Sequence, residues 1–115
     1  ERTQSMNPVS GDIVLVDFGA FPFGHEQAGV RPAIFVSVMK VIAIVIPLTS
    51  KTDAARYGGT CAINPDKINN LSKKSIALVF HLRSIDIRRI HKHIGTLSMS
   101  DKRAVNKVLR STILL

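Results

Sequence analysis

The chain has 115 residues, of which 45% are hydrophobic, and this size suits one domain with a single core. The formal net charge of +8 and the pI near 10.3 favour polyanionic partners, such as RNA, DNA or an acidic protein segment. A basic surface that serves only solubility is the alternative. Because Cys61 is the only cysteine, no intramolecular disulfide can form, and a reducing cytoplasm is expected.

The sequence predicts neither a signal peptide in its first residues nor a membrane span in its longest apolar run. Residues 1–8 are polar and lack an apolar signal core, so we expect them to be flexible or derived from a tag, with Met6 as the natural start. The apolar run around Lys40 is interrupted by that charge and is shorter than the roughly 20 residues of a membrane span. We therefore predict one soluble, cytoplasmic domain over residues 1–115.

Short apolar segments between Gly, Pro and Asn clusters predict a mainly β domain, either a barrel or a sandwich. The predicted strands cover residues 13–18, 33–38, 41–46, 59–63 and 75–80, and further extended structure covers 85–94. A polar connection at 65–74 separates the last strands from those before it.

One amphipathic helix is predicted at the C-terminal end. Ser98 and Asp101 have the spacing of a capping box, with Asp in place of the usual Glu. The helical repeat of apolar positions consists of Ala104, Val105, Val108, Leu109, Thr112 and Ile113. Such a stripe is more often a lid on the core than a groove for a partner, and both interpretations are open.

The run from 33 to 46 is rich in Val and Ile and predicts two buried strands that turn near Lys40. In an antiparallel hairpin of this kind, the numbers of facing residues sum to about 80. Arg31 then lies beside Thr49, and two polar segments meet. A register change of one residue would send the two side chains to opposite faces, so the orientation depends on the register.

Four segments in this order resemble the successive motifs of the MazF/PemK family of toxin endoribonucleases: GDIVLVDF at 11–18, EQAGVRPA at 26–33, PLTSK at 47–51 and LRSID at 82–86. The resemblance covers nearly the whole chain. It implies an SH3-like β-barrel of antiparallel strands with a C-terminal helix and a homodimer. It also implies metal-independent cleavage of single-stranded RNA and neutralisation by a small acidic antitoxin.

The sequence departs from the family pattern at two places. The chain passes from Val38 to Val41 without a turn-forming residue where the family has a longer polar loop, so we expect additional loop residues between Met39 and Lys40. Phe80 and His81 stand where the family has an acidic residue and Gln, which predicts a different sequence preference for RNA.

The family resemblance assigns catalysis to Arg31 and Thr49. A guanidinium has forked donors that match phosphate oxygens, and Pro32 biases Arg31 toward an extended backbone. Thr49 follows Pro47 and can donate its hydroxyl to a phosphate. Without the family, Arg31 is typical of a surface charge and Thr49 of a turn residue.

Proton transfer needs another group, because arginine is a poor base at neutral pH. His25 lies in the same loop as Arg31 and is the candidate, with an ordinary loop histidine as the alternative. We expect the substrate to be bound by Glu26, Gln27, Ser50, Lys51, His81 and Arg83. For Glu26, an ion pair with Arg31 is the alternative.

The densest basic region has three possible roles: a path for the RNA backbone, a site for an acidic antitoxin tail, or a solvated face. It consists of Arg83, Arg88, Arg89, His91, Lys92 and His93. His91 and His93 lack a Cys or carboxylate at metal-ligand spacing, so no metal or cofactor is predicted. Cys61 is expected to be a buried structural thiol, not a nucleophile.

The sequence therefore favours a ribosome-independent, sequence-selective RNA endonuclease toxin that leaves a 2′,3′-cyclic phosphate and a 5′-hydroxyl. Two alternatives remain open. One is a non-enzymatic toxin of the same fold that poisons DNA gyrase, and the other is a noncatalytic RNA-binding or regulatory module.

Overall fold

A computed structural model of the chain describes residues 7–19 and 29–113. This part of the chain forms seven strands and one α-helix: β1 (Asp12–Asp17), β2 (Val30–Met39), β3 (Ile42–Thr49), β4 (Thr60–Ile63), β5 (Ser75–Leu78), β6 (Arg83–Asp86), β7 (Ile90–Thr96) and α1 (Met99–Ile113). The predicted mainly β class with a C-terminal helix is confirmed. The predicted strand at 75–80 ends earlier, because a 3-10 turn begins at Val79. A second 3-10 turn at Ile87–Arg89 divides the extended segment 85–94.

The strands pair antiparallel in one curled sheet that forms a half-barrel. Their order is β4-β5-β3-β2-β1-β7, and β6 pairs with the first half of β3. The second half of β3 pairs with β5 instead, through Leu48 and Thr49. Because β3 changes partner along its length, the sheet bends at this point and the polar segment after β3 lies at the bend.

Alternation along the strands divides the apolar side chains between two cores, one on each face of the sheet. The first core contains Ile13, Ile34, Ile46 and Leu48, and Val105 of α1 covers it. The second core lies on the other face of the same strands, and its members are Val14, Val16, Phe18, Ala33, Phe35, Ala43, Val45, Ile85 and Ile90. Each of the central strands is therefore buried on both faces, which explains the nearly continuous apolar sequence from 33 to 46.

The helix is a lid on the first core, as one of the two interpretations predicted. Its first turn is capped by Ser98, whose Oγ accepts a hydrogen bond of 3.0 Å from the amide of Asp101. Val105 is buried, and Val108 and Leu109 are partly buried against the core. Ala104, which the apolar repeat included, is exposed.

The β2–β3 hairpin is closed by Lys40 and Val41, with Met39 paired to Ile42. Lys40 adopts a left-handed conformation with φ of 55°. The two strands are joined directly by a two-residue turn, so this hairpin closes without additional residues between Met39 and Lys40. A positive φ lets a lysine close a turn that glycine, asparagine or aspartate more commonly forms.

A buried asparagine organises the polar connection before β5. The side chain of Asn69 is inaccessible to solvent. Its Oδ1 accepts hydrogen bonds from the amides of Asp66 and Leu71, and its Nδ2 donates to the carbonyl of Asn64 at 2.9 Å. The backbone of Asn69 lies so close to Gly95 of β7 that no Cβ could be added there. Asn69 therefore fixes this connection against the edge of the sheet.

Candidate functional site

Arg31 lies near the start of β2, with Val16 of β1 directly across from it. The arginine is exposed, whereas Ala33, two residues further on the same face, is fully buried. Val14 and Val16 belong to the second core, so Arg31 lies on that face at its solvent-exposed margin. An apolar strand face thus ends in a guanidinium.

The pairing of β2 with β3 brings the two predicted polar segments together. Phe35 faces Val45 and Ala33 faces Pro47, so the numbers of facing residues sum to 80 at this end of the hairpin, as predicted. Counted two residues further along each strand, the same register sets Arg31 across from Thr49 on the face of the second core.

A β-bulge at Val36 produces this register. Between the bulge and the turn, the facing residues are Ser37 with Ile44 and Val38 with Ala43, so their numbers sum to 81. Val36 is the extra residue that shifts the sum to 80. Without it, the register from the turn would set Arg31 across from Ser50 and not from Thr49.

Thr49 is nearly buried at the end of β3, with 5% of its surface exposed. Its Oγ1 accepts a hydrogen bond of 3.2 Å from the amide of Lys51. In this hydrogen bond the hydroxyl oxygen is the acceptor. A hydroxyl that accepts one hydrogen bond can still donate its own hydrogen. Thr49 therefore stabilises the turn and presents a donor at the same time.

Arg83 reaches the same face from β6. It lies across from Val45 in the register, and its guanidinium carbon lies 5.0 Å from the centroid of the Phe18 ring. This is the distance of a cation–π contact. Phe18 is two residues beyond Val16, the residue opposite Arg31, so Phe18 lies diagonal to Arg31 in the register and contacts Arg83.

Phe18 is the residue of this site that the sequence prediction missed. It is 4% exposed and belongs to the second core. The alternation of Val14, Val16 and Phe18 places it on the right face, and this signal was present in the sequence. The contact with Arg83 joins residues that are far apart in the chain, and local pattern does not predict such contacts.

The loop that carries three of the predicted residues begins and ends beside Arg31. His25, Glu26 and Gln27 lie outside the described residues. At the base of the loop, the amide of Phe18 donates to the carbonyl of Gly29 at 2.9 Å, and the amide of Gly29 donates to the carbonyl of Gly19 at 2.6 Å. The loop therefore leaves and rejoins the sheet at the end of the strands where Arg31 lies.

The remaining predicted substrate residues lie in two places: two directly follow Thr49, and the third lies before β6. Ser50 and Lys51 are exposed and directly follow Thr49. His81 lies in the 3-10 turn before β6, with its ring 4.4 Å from the Phe80 ring in an edge arrangement. Phe80 in turn lies beside Gly59, which also approaches Thr112 of α1. The described contacts of His81 are thus with the segment that packs against the helix.

Several members of the basic region already have structural partners. Arg88 forms a bidentate pair with Asp86, with Nε and Nη2 at 3.0 and 2.8 Å from the carboxylate oxygens. These bonds lower the pKa of Asp86 to about 2. Arg89 donates to the carbonyl of Asp17 at 3.2 Å, and His93 lies 3.6 Å from the carboxylate of Asp12. Arg88, Arg89 and His93 therefore contribute to the fold around the site.

The described side chains do not provide an obvious metal-binding group. In residues 7–19 and 29–113, no cluster of three or more His, Cys, Asp or Glu side chains could hold a metal ion. Cys61 is a partly buried free thiol on β4, and burial raises its pKa above the usual value. A raised pKa lowers the thiolate fraction, which supports a structural role for this thiol.

Comparison with known proteins identifies relatives of the same fold. MazF from Deinococcus radiodurans (Form-I) is 25% identical, with a TM-score of 0.77 over 96% of this chain and 100% of its own. In the MazE–MazF structure (Form-II) from the same organism, the matching chain is also 25% identical, with a TM-score of 0.73 over 96% of this chain and 99% of its own. An endoribonuclease in complex with its cognate antitoxin from Mycobacterial species is 15% identical, with a TM-score of 0.73, covering 95% and 97% of the two chains.

The search of curated proteins gives no match. Among the described elements, no helix has both the length and the apolar character needed to cross a membrane. A family model for the PemK-like, MazF-like toxin of type II toxin-antitoxin systems matches residues 10–113. The chain therefore belongs to the PemK/MazF-like family of type II toxins.

Proposed function

We propose that this protein is a sequence-selective endoribonuclease toxin that cleaves single-stranded RNA without a metal ion. The observation that supports the proposal most strongly is the pairing of Ala33 with Pro47, because the same register extended by two residues sets Arg31 across from Thr49 at the margin of the second core. Two donors of different chemistry, 18 positions apart in the sequence, lie near the ends of paired strands. Rigid strands suit a site whose donors must be fixed before the reaction.

The proposed reaction is an attack by the 2′-hydroxyl oxygen on the adjacent phosphorus. A P–O bond forms, the bond to the 5′-oxygen breaks, and the products are a 2′,3′-cyclic phosphate and a 5′-hydroxyl. Negative charge accumulates on the phosphorane, and the Arg31 guanidinium stabilises that charge through forked hydrogen bonds. The Thr49 hydroxyl donates to a second oxygen of the same phosphate.

Proton transfer is assigned to His25 in this proposal. The proton from the 2′-hydroxyl needs an acceptor and the 5′-oxygen needs a donor, and imidazole can serve either role near neutral pH. The base of its loop is tied to Phe18 and Gly19, beside β1 and β2. The described residues on either side of this segment, Gly19 and Gly29, thus lie at the end of the strands where Arg31 lies. Glu26 and Gln27 in the same loop are proposed to contact the RNA.

Further substrate contacts are proposed along the same face and beyond the end of β3. Ser50 and Lys51 are exposed next to Thr49, and Arg83 lies over Phe18. His81 is proposed to bind RNA next to β6. The proposed protein partners are a second copy of the chain, in a homodimer, and a small acidic antitoxin. The MazE–MazF structure from Deinococcus radiodurans, whose matching chain is 25% identical, supports an antitoxin for this chain.

Incubation of the purified protein with single-stranded RNA in EDTA tests this proposal. We expect defined fragments with 2′,3′-cyclic phosphate ends, and a loss of about a hundredfold or more in cleavage rate for Arg31→Ala, which is the scale of a lost transition-state donor. Binding to a 2′-deoxy-substituted oligonucleotide should weaken far less. The matched control is Arg103→Ala, which removes an exposed arginine from α1.

Three results would contradict the proposal. Cleavage that survives Arg31→Ala would exclude the assigned role of this residue. Inhibition of DNA supercoiling by gyrase, without RNA fragments, would indicate a gyrase poison. Binding of RNA without cleavage would indicate a noncatalytic module.

A further inference from the structure

The side chain of Arg89 joins the start of β7 to the end of β1. Arg89 is the last residue of the 3-10 turn Ile87–Arg89, and its Nη1 donates a hydrogen bond of 3.2 Å to the carbonyl of Asp17. A Cβ added to Gly19 would lie 3.4 Å from the same nitrogen. The guanidinium therefore packs against backbone just beyond β1, although Arg89 and Asp17 are 72 positions apart in the sequence.

The direction of the Asp17 carbonyl explains why a side chain donates to it. The amide of Phe18 donates to the carbonyl of Gly29, toward β2. Because the C=O and N–H of one trans peptide group point in opposite directions, the carbonyl of Asp17 points away from β2, toward the β7 side. The ladder between β1 and β7 ends one residue earlier in β1, at Val16. The Arg89 guanidinium therefore takes the place of a backbone donor beyond the end of this ladder.

The backbone beside this guanidinium forms a small hydrogen-bonded unit, the neck, which consists of Asp17, Phe18, Gly19 and Gly29. Oδ1 of Asp17 accepts from the amide of Gly19 at 2.8 Å, and the carbonyl of Gly19 accepts from the amide of Gly29 at 2.6 Å. Both glycines have a positive φ, of 76° and 77°. These hydrogen bonds lie within the neck, whereas the hydrogen bond from Arg89 ties the neck to a distant part of the chain.

The position of Arg31 depends on the end of β1. The pairing of β2 with β1 begins at Val30, whereas its pairing with β3 begins at Ala33. Asp17 of the neck is the partner of Val30, and Arg31 is the next residue of β2. Thr49, by contrast, is paired with β5. The two proposed catalytic residues are thus held by different strands, so a shift of the end of β1 changes the separation between them.

We propose that Arg89 is a positioning residue for RNA cleavage, which holds the end of β1 so that Arg31 keeps its place across from Thr49. This inference rests on the proposed function. Arg89 acts through the backbone of the neck and does not touch the substrate. Because donors that are fixed before the reaction contribute most to the transition state, a less rigid Arg31 slows the chemical step and affects RNA binding less.

Amide hydrogen exchange in the intact chain, followed by NMR, tests without RNA whether Arg89 holds the neck. In Arg89→Gln, the amides of Phe18 and Gly29 should exchange about tenfold faster than in the parent protein, because the neck then opens with one hydrogen bond less to break. The matched control is Arg103→Gln, which removes the same charge from an exposed position on α1 and should change these rates by less than about twofold. Thermal unfolding of each variant checks that the fold is kept.

Single-turnover cleavage and the binding of a 2′-deoxy-substituted oligonucleotide test the effect on the reaction. Arg89→Gln should lower the cleavage rate about tenfold and weaken binding by less than about twofold, whereas Arg103→Gln should change each by less than about twofold. Arg89→Lys keeps the charge and loses the forked donors of the guanidinium. In this variant, the cleavage rate should recover only as far as the protection of the Gly29 amide recovers.

Three results would overturn the inference alone. Unchanged exchange of the neck amides in Arg89→Gln would show that the guanidinium does not hold the end of β1. Faster exchange with an unchanged cleavage rate would show that the neck does not position Arg31. Equal losses in binding and in cleavage rate, both restored by Arg89→Lys, would make Arg89 a contact of the RNA phosphates. A parent protein that does not cleave RNA would overturn the proposed function and this role with it, whereas the exchange rates would still show whether Arg89 holds the neck.

Discussion

At the scale of single residues, most charged side chains near the site have structural partners, and this limits which of them can hold a substrate. The bidentate pair of Arg88 with Asp86 is the clearest example. The sequence indicated a basic region but could not distinguish cations held by carboxylates from those that face solvent. That distinction depends on rotamers and on 3-10 turns such as Ile87–Arg89, which place Arg88 back over Asp86.

The Asp86–Arg88 pair predicts a dependence of stability on acid pH. The hydrogen bonds from Arg88 lower the pKa of Asp86 from 3.8 to about 2 in the folded protein. The unfolded state therefore binds the proton more readily, so the stabilisation by this pair is present above pH 4 and is lost as pH falls toward 2. The midpoint temperature of thermal unfolding should fall less in Asp86→Asn than in the parent protein as the pH is lowered across this range.

Arg88→Gln provides the partner control for this measurement. It removes the side-chain donors and keeps both the carboxylate and the backbone amide that donates to it at 2.8 Å, so it should reduce the acid dependence in the same direction as Asp86→Asn but by a smaller amount. An unchanged acid dependence in both variants would contradict the assignment of the lowered pKa to this pair.

At the scale of elements, the sequence predicted the strands and the helix well and their connections poorly. Period-two alternation and β-branched residues located β1, β2 and β3. Ser98 and the apolar repeat located the start of α1. The numbers of facing residues on β2 and β3 sum to 80 near the site, as predicted, but to 81 next to the turn. The bulge at Val36 accounts for this difference of one residue. Bulges depend on pairing between strands, so a local pattern does not reveal them.

The turn of the β2–β3 hairpin predicts a stabilising substitution. Lys40 has φ of 55°, a conformation that costs a non-glycine residue roughly 1 kcal/mol and glycine almost nothing. Because glycine also loses more conformational freedom on folding, we expect Lys40→Gly to raise the free energy of unfolding by about 0.5 kcal/mol in denaturant titrations.

The neighbouring turn residue provides the control for the hairpin. Val41 does not have a positive φ, so Val41→Gly should gain nothing from the turn geometry and should lower stability. A lower free energy of unfolding for Lys40→Gly, equal to that of Val41→Gly, would contradict the assigned role of the left-handed lysine.

The connection before β5 predicts a large loss from one polar substitution. The buried side chain of Asn69 makes three hydrogen bonds within its own connection. Asn69→Ala should lower the free energy of unfolding by about 2–4 kcal/mol, since three partly buried hydrogen bonds of roughly 1 kcal/mol each are lost. Asn64→Ala, at an exposed position that contributes its carbonyl, should change it by less than about 0.5 kcal/mol in the same denaturant titration. Similar effects of both substitutions would exclude this role.

At the scale of the whole molecule, the curled sheet separates two surfaces. One core is covered by α1. The other core ends at Arg31, Thr49 and Arg83, where the proposed cleavage site lies. The sequence supported the proximity of Arg31 and Thr49 and the family resemblance. It could not predict the contact of Arg83 with Phe18, which forms only when the strands curl.

The proposed mechanism requires that Arg31 and Thr49 act on one phosphate, and a double-mutant cycle on these two residues tests this requirement. Single-turnover cleavage rates are measured for the parent protein, Arg31→Ala, Thr49→Val and the double variant. Two donors to one transition state depend on each other. We therefore expect the fold-loss in cleavage rate of the double variant, relative to the parent protein, to be much smaller than the product of the two single fold-losses, which corresponds to a coupling energy of about 1 kcal/mol or more. Effects that multiply within about twofold would contradict the mechanism.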